Sequence, residues 1–326
     1  MKSIPDKIYL APIRGITNQS FRNAFARQFP GFDRAIAPFV TVGRGCQAKK
    51  SAIADLVPAK ETGIETVPQV LTGSAPELVQ MASLLFEMGH PCVNWNLGCP
   101  HPPVIKKKKG AGLLPYPEEI ERILDDAVPK LGGRLSIKMR LGRDSADEIA
   151  RLMPILNRYP LEEIIIHPRT AVQLYSGQVN LDAFASCLDI LDHLLVYNGN
   201  IDSLDGFIEL QKRFPSVSHW MIGRGALHNP FLIPSIKRET NLLPSQKEER
   251  IKRFHDELFD VYSTEFSGPA HLLDHMKALW NYLASCFINR EKIVKKIRKT
   301  KSVAQYQSVV HAIFEPLPNG ATQMKL

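Results

Sequence analysis

Short runs of β-branched and aliphatic residues recur about every thirty residues, separated by stretches whose apolar positions repeat with helical spacing. Eight such runs stand out: residues 7–12 (KIYLAP), 34–39 (RAIAPF), 66–71 (TVPQVL), 92–97 (CVNWNL), 135–140 (LSIKMR), 163–167 (EIIIH), 194–198 (LLVYN) and 218–222 (SHWMI). The intervening helices read best at 74–88, which starts on the cap-like Ser-Ala-Pro-Glu, and at 116–131. Eight β/α units in roughly 235 residues match a TIM (β/α)8 barrel, and near-continuous apolar strands suit a parallel sheet covered on both sides. A doubly wound sheet is the rival. The barrel is favoured because almost every strand run ends in a polar or glycine-bearing signature, as one active face fed by all strand ends demands, whereas an open sheet gathers its ligand at one crevice.

At 238–247 (RETNLLPSQK) the pattern turns polar, and everything beyond reads as helix. The expected division is a barrel over 1–240 and a small all-helical domain over 241–326. The clearest helix of the second carries Leu272, Leu273, Met276, Leu279, Trp280 and Leu283, a stripe fit to pack on neighbouring helices.

Composition narrows the class. The chain has 326 residues, 44% apolar and 23% charged, enough to bury a full core. It contains no uninterrupted apolar run of about 18 residues, and its start, MKSIPDKIYLAP, lacks the pattern of a signal or transit peptide. A cytoplasmic protein with no membrane partner is expected. Five scattered cysteines without a CxxC pair suggest neither a disulfide framework nor a metal site. A net charge of +8 favours a polyanionic partner. From Leu243 onward there are 13 Lys/Arg against 9 Asp/Glu, and 290–301 (REKIVKKIRKTK) holds seven basic residues against one acid. Nucleic-acid contact through Lys295, Lys296, Arg298 and Lys299 is one reading of that density; a solvated helix face is the other.

The strand ends carry the candidate chemistry. Ala11, Pro12 and Ile13 open a tight turn where small residues admit a flat ligand. Gln69 and Lys138 lie inside apolar runs, where a polar group is costly without a partner. A Gln amide suits the hydrogen-bonding edge of a flavin ring and an ammonium its anionic reduced form, although Lys138 in a buried salt bridge is the plain alternative. His167, after the sixth strand, is either a hydrogen-bonded structural residue or part of the active face. The turns Asn198-Gly199-Asn200 and Gly223-Arg224-Gly225 end strands seven and eight, where TIM barrels commonly form a phosphate pocket. Their backbone N–H groups can hold a phosphate that the Arg224 guanidinium neutralises. At the fourth strand end, NWNLGCP puts Asn94, Asn96 and Cys99 at the rim, so Cys99 sits on a polar turn reachable by substrate. Cys92, Cys187 and Cys286 read as inert buried thiols.

At these residues the chain resembles the tRNA-dihydrouridine synthases, flavoenzymes that reduce selected uridines in tRNA. The matching pieces, in the family's order over residues 9 to 230, are APIRG, PQV, NWNLGCP, GAGLL, KMRLG, HPRT, YSG, NGNI and IGRGAL. The tail, with its HMKALWNYL helix, fits the family's tRNA-embracing domain. The resemblance implies that FMN meets Ala11, Pro12, Ile13, Gln69, Lys138, His167, Asn198, Gly199, Gly223 and Arg224, with Asn200 in the turn where the family usually has an acid. It implies that Asn96 and Arg140 meet the uridine or its neighbours. Cys99 then protonates carbon 5 of the uracil while hydride reaches carbon 6, with NADPH as reductant, tRNA as partner, no metal, and a monomeric enzyme. After Cys99 the family usually has Ser or Ala and a glycine-rich approach, whereas here His101-Pro102-Pro103 precede Lys106, Lys107, Lys108 and Lys109. Those lysines either reach RNA phosphates or form a solvated loop, and cations so close to Cys99 would be expected to lower its pKa. Three other classes remain: a small-molecule FMN reductase of the dihydroorotate dehydrogenase or old-yellow-enzyme kind, a phosphate-binding lyase using Lys138 as a Schiff-base nucleophile, and an RNA-binding protein without turnover.

Overall fold

The computed structural model describes residues 5–42, 50–58, 64–238, 242–315 and 323–325. Cys46 lies outside them. Among the described residues ten short strands form one wholly parallel sheet: β1 (Lys7–Leu10), β2 (Arg34–Ile36), β3 (Val40–Thr41), β4 (Glu65–Val67), β5 (Gln69–Leu71), β6 (Cys92–Leu97), β7 (Arg134–Gly142), β8 (Leu161–Thr170), β9 (Leu195–Tyr197) and β10 (His219–Ile222). β4 and β5 are halves of one expected strand, split at Pro68, which has no N–H to give the ladder. Of the strand expected at 34–39 only β2 is extended; the chain breaks at 37–39 around Pro38 and resumes as β3, just beyond the expected run. β2 pairs with β4 and β3 with β5, while β10 returns to β1 and β1 to β2. The ladder therefore closes on itself, and the eight expected strands make a TIM barrel followed by helices.

Alternation along the strands sorts the side chains into two layers. Val93, Trp95 and Leu97 of β6, Ile137 and Met139 of β7, and Ile164 and Ile166 of β8 join the large core between barrel and surrounding helices. The alternate residues point into the lumen. Its middle is a separate apolar plug of Tyr9, Ala11, Ile36, Val67, Cys92, Ile165, Val196 and Met221. Below the plug a polar knot fills the barrel floor. There the Tyr9 hydroxyl donates to Glu163 Oε2 at 2.7 Å, and Arg34 bridges Glu163 at 3.3 Å and Glu65 at 3.0 Å. Above the plug the lumen turns polar again, and that side is the site.

The helix Ala75–Glu87 begins where expected, but Ser74 makes no side-chain cap. Instead the Thr72 hydroxyl donates to Glu77 at 2.5 Å and accepts the Ser74 N–H at 3.1 Å. The second expected helix runs over Pro117–Ala127 and ends in a tight 3-10 turn.

The expected boundary between residues 240 and 241 lies outside the described residues. Beyond it come the helices Pro244–Glu265, Pro269–Leu283, Arg290–Lys299 and Val303–Phe314. All six residues of the stripe in the second of these are buried. The first lies on the barrel helix Gln19–Gln28, with Phe254 packed edge-on against Phe21 at 5.5 Å, Phe25 at 5.6 Å and Phe29 at 5.4 Å. Tyr262 donates to Asn18 Oδ1 at 2.8 Å beside them. A buried network ties the tail together: the Tyr306 hydroxyl lies 2.6 Å from His255 Nε2 and accepts the Trp280 indole N–H at 2.8 Å.

Candidate active site

The C-terminal ends of the strands open into a cavity of about 590 Å3. It is lined by Ala11, Pro12, Ile13, Gln69, Asn96, Cys99, Lys138, Arg140, His167, Asn198, Gly199, Asn200, Gly223 and Arg224, all singled out from sequence, whereas Asn94, expected at the rim with Asn96 and Cys99, is not at the surface of the cavity. Asn94 sits just beneath, fully buried. Lys295, Lys296, Arg298 and Lys299 stand apart on the tail.

Amides build the floor. Gln69 donates to Asn94 Oδ1 at 2.7 Å and accepts from Asn96 Nδ2 at 2.7 Å, and Asn94 donates to the Ser136 hydroxyl at 2.8 Å. Asn96 Oδ1 then accepts the backbone N–H groups of Gly98 at 3.0 Å and Cys99 at 2.9 Å. Asn96 thus reaches the cavity mainly as the bracket of the Cys99 turn. Arg140 acts in the same place, donating to the carbonyls of Gly98 at 3.0 Å and Thr170 at 2.7 Å. From the other side Gly110, in the left-handed region at φ +56°, lies so close that a Cβ there would sit 3.0 Å from Cys99 Cβ.

Cys99 is held above, not below, the usual thiol range. Burial raises it, and the His101 backbone hydrogen bond and the charges of Arg14, Arg140 and Lys138 only partly offset that. The expectation that the lysine loop would lower it is corrected, because the loop spends its charge elsewhere. Lys108 pairs with Glu119 at 2.9 Å and covers the Tyr116 ring, and Lys109 pairs with Glu77 at 3.1 Å. Lys106 and Lys107 are exposed.

Cations dominate the lining. Among the described residues, Arg14, Lys138, Arg140, Arg169 and Arg224 face it against a single carboxylate, Asp202. Burial, reinforced by Arg140, pushes the Lys138 ammonium down to about 7. Burial and then Lys138, Arg140, Arg169 and Arg224 drive His167 far below the ordinary imidazole value. No described ion pair supplies Lys138 with a counter-charge, so the plain salt-bridge reading fails there.

Sequence reasoning missed several lining residues. Arg169 lies on the lumen-facing alternation of β8 that also carries Glu163, Ile165 and His167, so its position was readable. Tyr175, on the segment after β8, has its ring 4.6 Å from the Arg224 guanidinium and 5.3 Å from that of Arg140. Tyr282 comes from the tail and carried no local signal. It packs 5.1 Å from His228, whose Nδ1 lies 2.8 Å from the Ser285 hydroxyl. Cys92, Cys187 and Cys286 are buried as expected, with Ser136 and Glu163 near enough to Cys92 to act on its thiol.

A closed β/α barrel whose C-terminal mouth gathers a protonated thiol, a neutral imidazole and five basic side chains has the architecture of an enzyme site with a positively charged pocket. The family model of dihydrouridine synthase (Dus) matches residues 9–315, and the chain belongs to that family. Among its relatives, a tRNA-dihydrouridine(16) synthase of Haemophilus ducreyi is 32% identical over 248 residues, covering 73% of this chain and 74% of the relative. A tRNA-dihydrouridine synthase B of Vibrio parahaemolyticus is 25% identical over 281 residues, covering 84% and 86%. Solved structures with the same fold include morphinone reductase, with a TM-score of 0.53 at 11% identity over 75% of this chain and 93% of that one. The old yellow enzyme of Trypanosoma cruzi gives 0.52 at 11% over 77% and 93%. With the family assigned, the Schiff-base lyase reading of Lys138 falls away. Among the described residues no helix is long and apolar enough to cross a membrane, and no three His, Cys, Asp or Glu side chains group as a metal site.

Proposed function

We propose that this protein reduces uridine in tRNA to 5,6-dihydrouridine, with FMN held in the barrel mouth, NADPH as the reductant, and Cys99 as the proton donor. One observation carries the reading: five basic side chains against one carboxylate line the cavity that holds the half-buried, protonated thiol of Cys99. A cavity so charged is unfavourable until an anion enters it.

The residues present fit FMN. Gly199 and Gly223 leave room where a Cβ would press on Val179 at 3.1 Å and on Ala11 at 3.2 Å, and Arg224 beside them offers the charge a phosphate needs. Gln69, Lys138, His167 and Asn198 would face the ring system and its sugar chain, with Ala11, Pro12, Ile13 and Asn200 as walls. When bound, FMN supplies the hydride received by carbon 6 of the uracil. The chain's own part is to hold the base at the Cys99 turn and deliver the Sγ proton to carbon 5. Asn96, Arg140 and Gly110 fix the sulfur for that transfer, and a thiol kept above its usual pKa retains the proton it must give. Lys295, Lys296 and Lys299, exposed on the tail helix that buries Ile293 and Ile297, are suited to RNA phosphates. A tRNA substrate makes the cytoplasm its place of action.

Mapping dihydrouridine in RNA from cells with and without the gene tests activity, substrate class and position together. Loss of the modified base at defined tRNA positions is expected. An unchanged map, or purified protein that is colourless and takes up no flavin, would overturn the proposal.

A further inference from the structure

We infer that Arg169 is a positioning residue that sets which nitrogen of His167 carries the proton and pins the 171–177 segment, with Tyr175, against the cavity. The function proposed above counts Arg169 only as one of the five basic residues lining the cavity, although its side chain is among the largest fully buried ones of the described residues. Its guanidinium ties the strand β8 to the turns on either side of it. NH1 lies 3.1 Å from His167 Nε2, Nε donates to the Ser176 carbonyl at 3.2 Å, and NH2 donates to the Gly177 carbonyl at 2.6 Å and to Asn200 Oδ1 at 3.1 Å.

The hydrogen bond to His167 has only one chemical meaning. Arginine is donor-only and keeps its proton, so Nε2 must be the acceptor and the neutral imidazole must hold its hydrogen on Nδ1. His167 is thereby made a hydrogen-bond donor toward the cavity it lines. The groups acting on it are Lys138 and Arg140 from β7, Arg169 from its own strand, and Arg224 after β10; the guanidiniums are cationic and Lys138 is so below about pH 7, and all four oppose a second proton on the ring. The other hydrogen bonds take up the carbonyls of two consecutive residues, Ser176 and Gly177, the latter in the left-handed region at φ +69°. Tyr175 immediately precedes them, with its ring beside Arg140 and Arg224, so the guanidinium fork fixes an imidazole and an aromatic wall at once. A lysine in its place would keep the charge and lose the fork.

The test uses full-length, ligand-free protein. Long-range 1H–15N spectra of the imidazole nitrogens, assigned with His167→Asn, are expected to show His167 as the neutral Nδ1–H tautomer from about pH 5.5 to about 8.5. In Arg169→Met the tautomer signature is expected to be lost, the ring to titrate closer to the ordinary histidine range, and chymotryptic cleavage after Leu174 and Tyr175 to accelerate. In Arg169→Lys the ring is expected to stay neutral while cleavage still accelerates, a split that a merely structural role would not produce. An Nε2–H tautomer in the parent protein, or spectra and cleavage unchanged in Arg169→Met, would overturn the inference. The parent spectrum needs no variant, so the question stays open to test even if Arg169→Met does not fold. FMN affinity, read by quenching of flavin fluorescence, is expected to fall about tenfold or more in Arg169→Met. That arm alone rests on the proposed function: parent protein that binds no FMN would sink the flavin reading and leave the tautomer and cleavage results to judge Arg169.

Discussion

Cys99 and Lys138 show how one cavity tunes two residues in opposite senses. Burial raises the thiol and lowers the ammonium because both charged forms lose water. For Cys99 as an acid, activity is retained while the thiol keeps its proton and is lost as pH rises through its raised pKa. The alkaline limb of kcat/KM is therefore expected above the ordinary thiol value, and Cys99→Ala should lower kcat by about 10²–10⁴ with FMN binding intact. A near-normal rate for that variant would remove the acid role. For Lys138 the sign reverses. Between about 7 and the ordinary lysine value of 10.5 the unfolded chain holds a proton that the folded one does not, so stability rises with pH across that window and is penalised below it. Lys138→Met is expected to raise the ligand-free melting temperature at pH 7 by a few degrees, to flatten the rise toward pH 10, and to weaken FMN binding. A melting temperature no higher than the parent's would show that the ammonium finds its counter-charge within the protein.

At the scale of elements, strand alternation does most of the positioning. Asn94 and Asn96 share the lumen face of β6, Ser136, Lys138 and Arg140 that of β7, and Glu163, His167 and Arg169 that of β8. A run that reads as uniformly apolar thus hides a period-2 row of polar residues. The eight strands and their order were legible because helical and extended spacings alternate so regularly. The breaks at Pro38 and Pro68 were in plain view but gained meaning only when the ladder showed which N–H was missing. The GAGLL turn was legible as a motif, not as a buttress. Its Gly110 abuts Cys99, and the Ala111 N–H donates to the Cys99 carbonyl at 3.2 Å. Gly110→Ala combines a disfavoured backbone with a Cβ 3.0 Å from Cys99. It is expected to cost about 1–2 kcal/mol of stability and to depress kcat more than RNA affinity, as thermal melts and steady-state kinetics on tRNA will read.

On the scale of the whole molecule, the helical tail contributes to the cavity as well as carrying the basic helix, since Tyr282 forms part of the cavity wall. The basic helix divides its labour. Ile293 and Ile297 are buried, Lys295, Lys296 and Lys299 are exposed, and Arg298 donates to Asn281 Oδ1 at 2.7 Å. Replacing the three lysines with Ala is expected to leave the melting temperature unchanged, weaken tRNA binding, and reduce the slope of log K against log salt by about 0.7–0.9 for each phosphate that is no longer neutralised. An unchanged slope would place the RNA elsewhere. Arg298→Ala should also loosen the packing of the tail, because that cation is already committed.

The sequence by itself determined the barrel, the helical tail, and the strand ends that carry the chemistry, because spacing and glycine-bearing turns act over a few residues and leave a local trace. It also determined the resemblance from which the flavin and tRNA reading starts. Only the tertiary structure decided the protonation of the site. Whether Cys99 moves up or down depends on how deeply it is enclosed and on whether nearby lysines face it or pair with Glu77 and Glu119. Those are distances between residues far apart in the chain, and no local pattern encodes them. The same holds for Tyr282 and for the arm of the Arg169 fork that reaches Asn200 after the next strand.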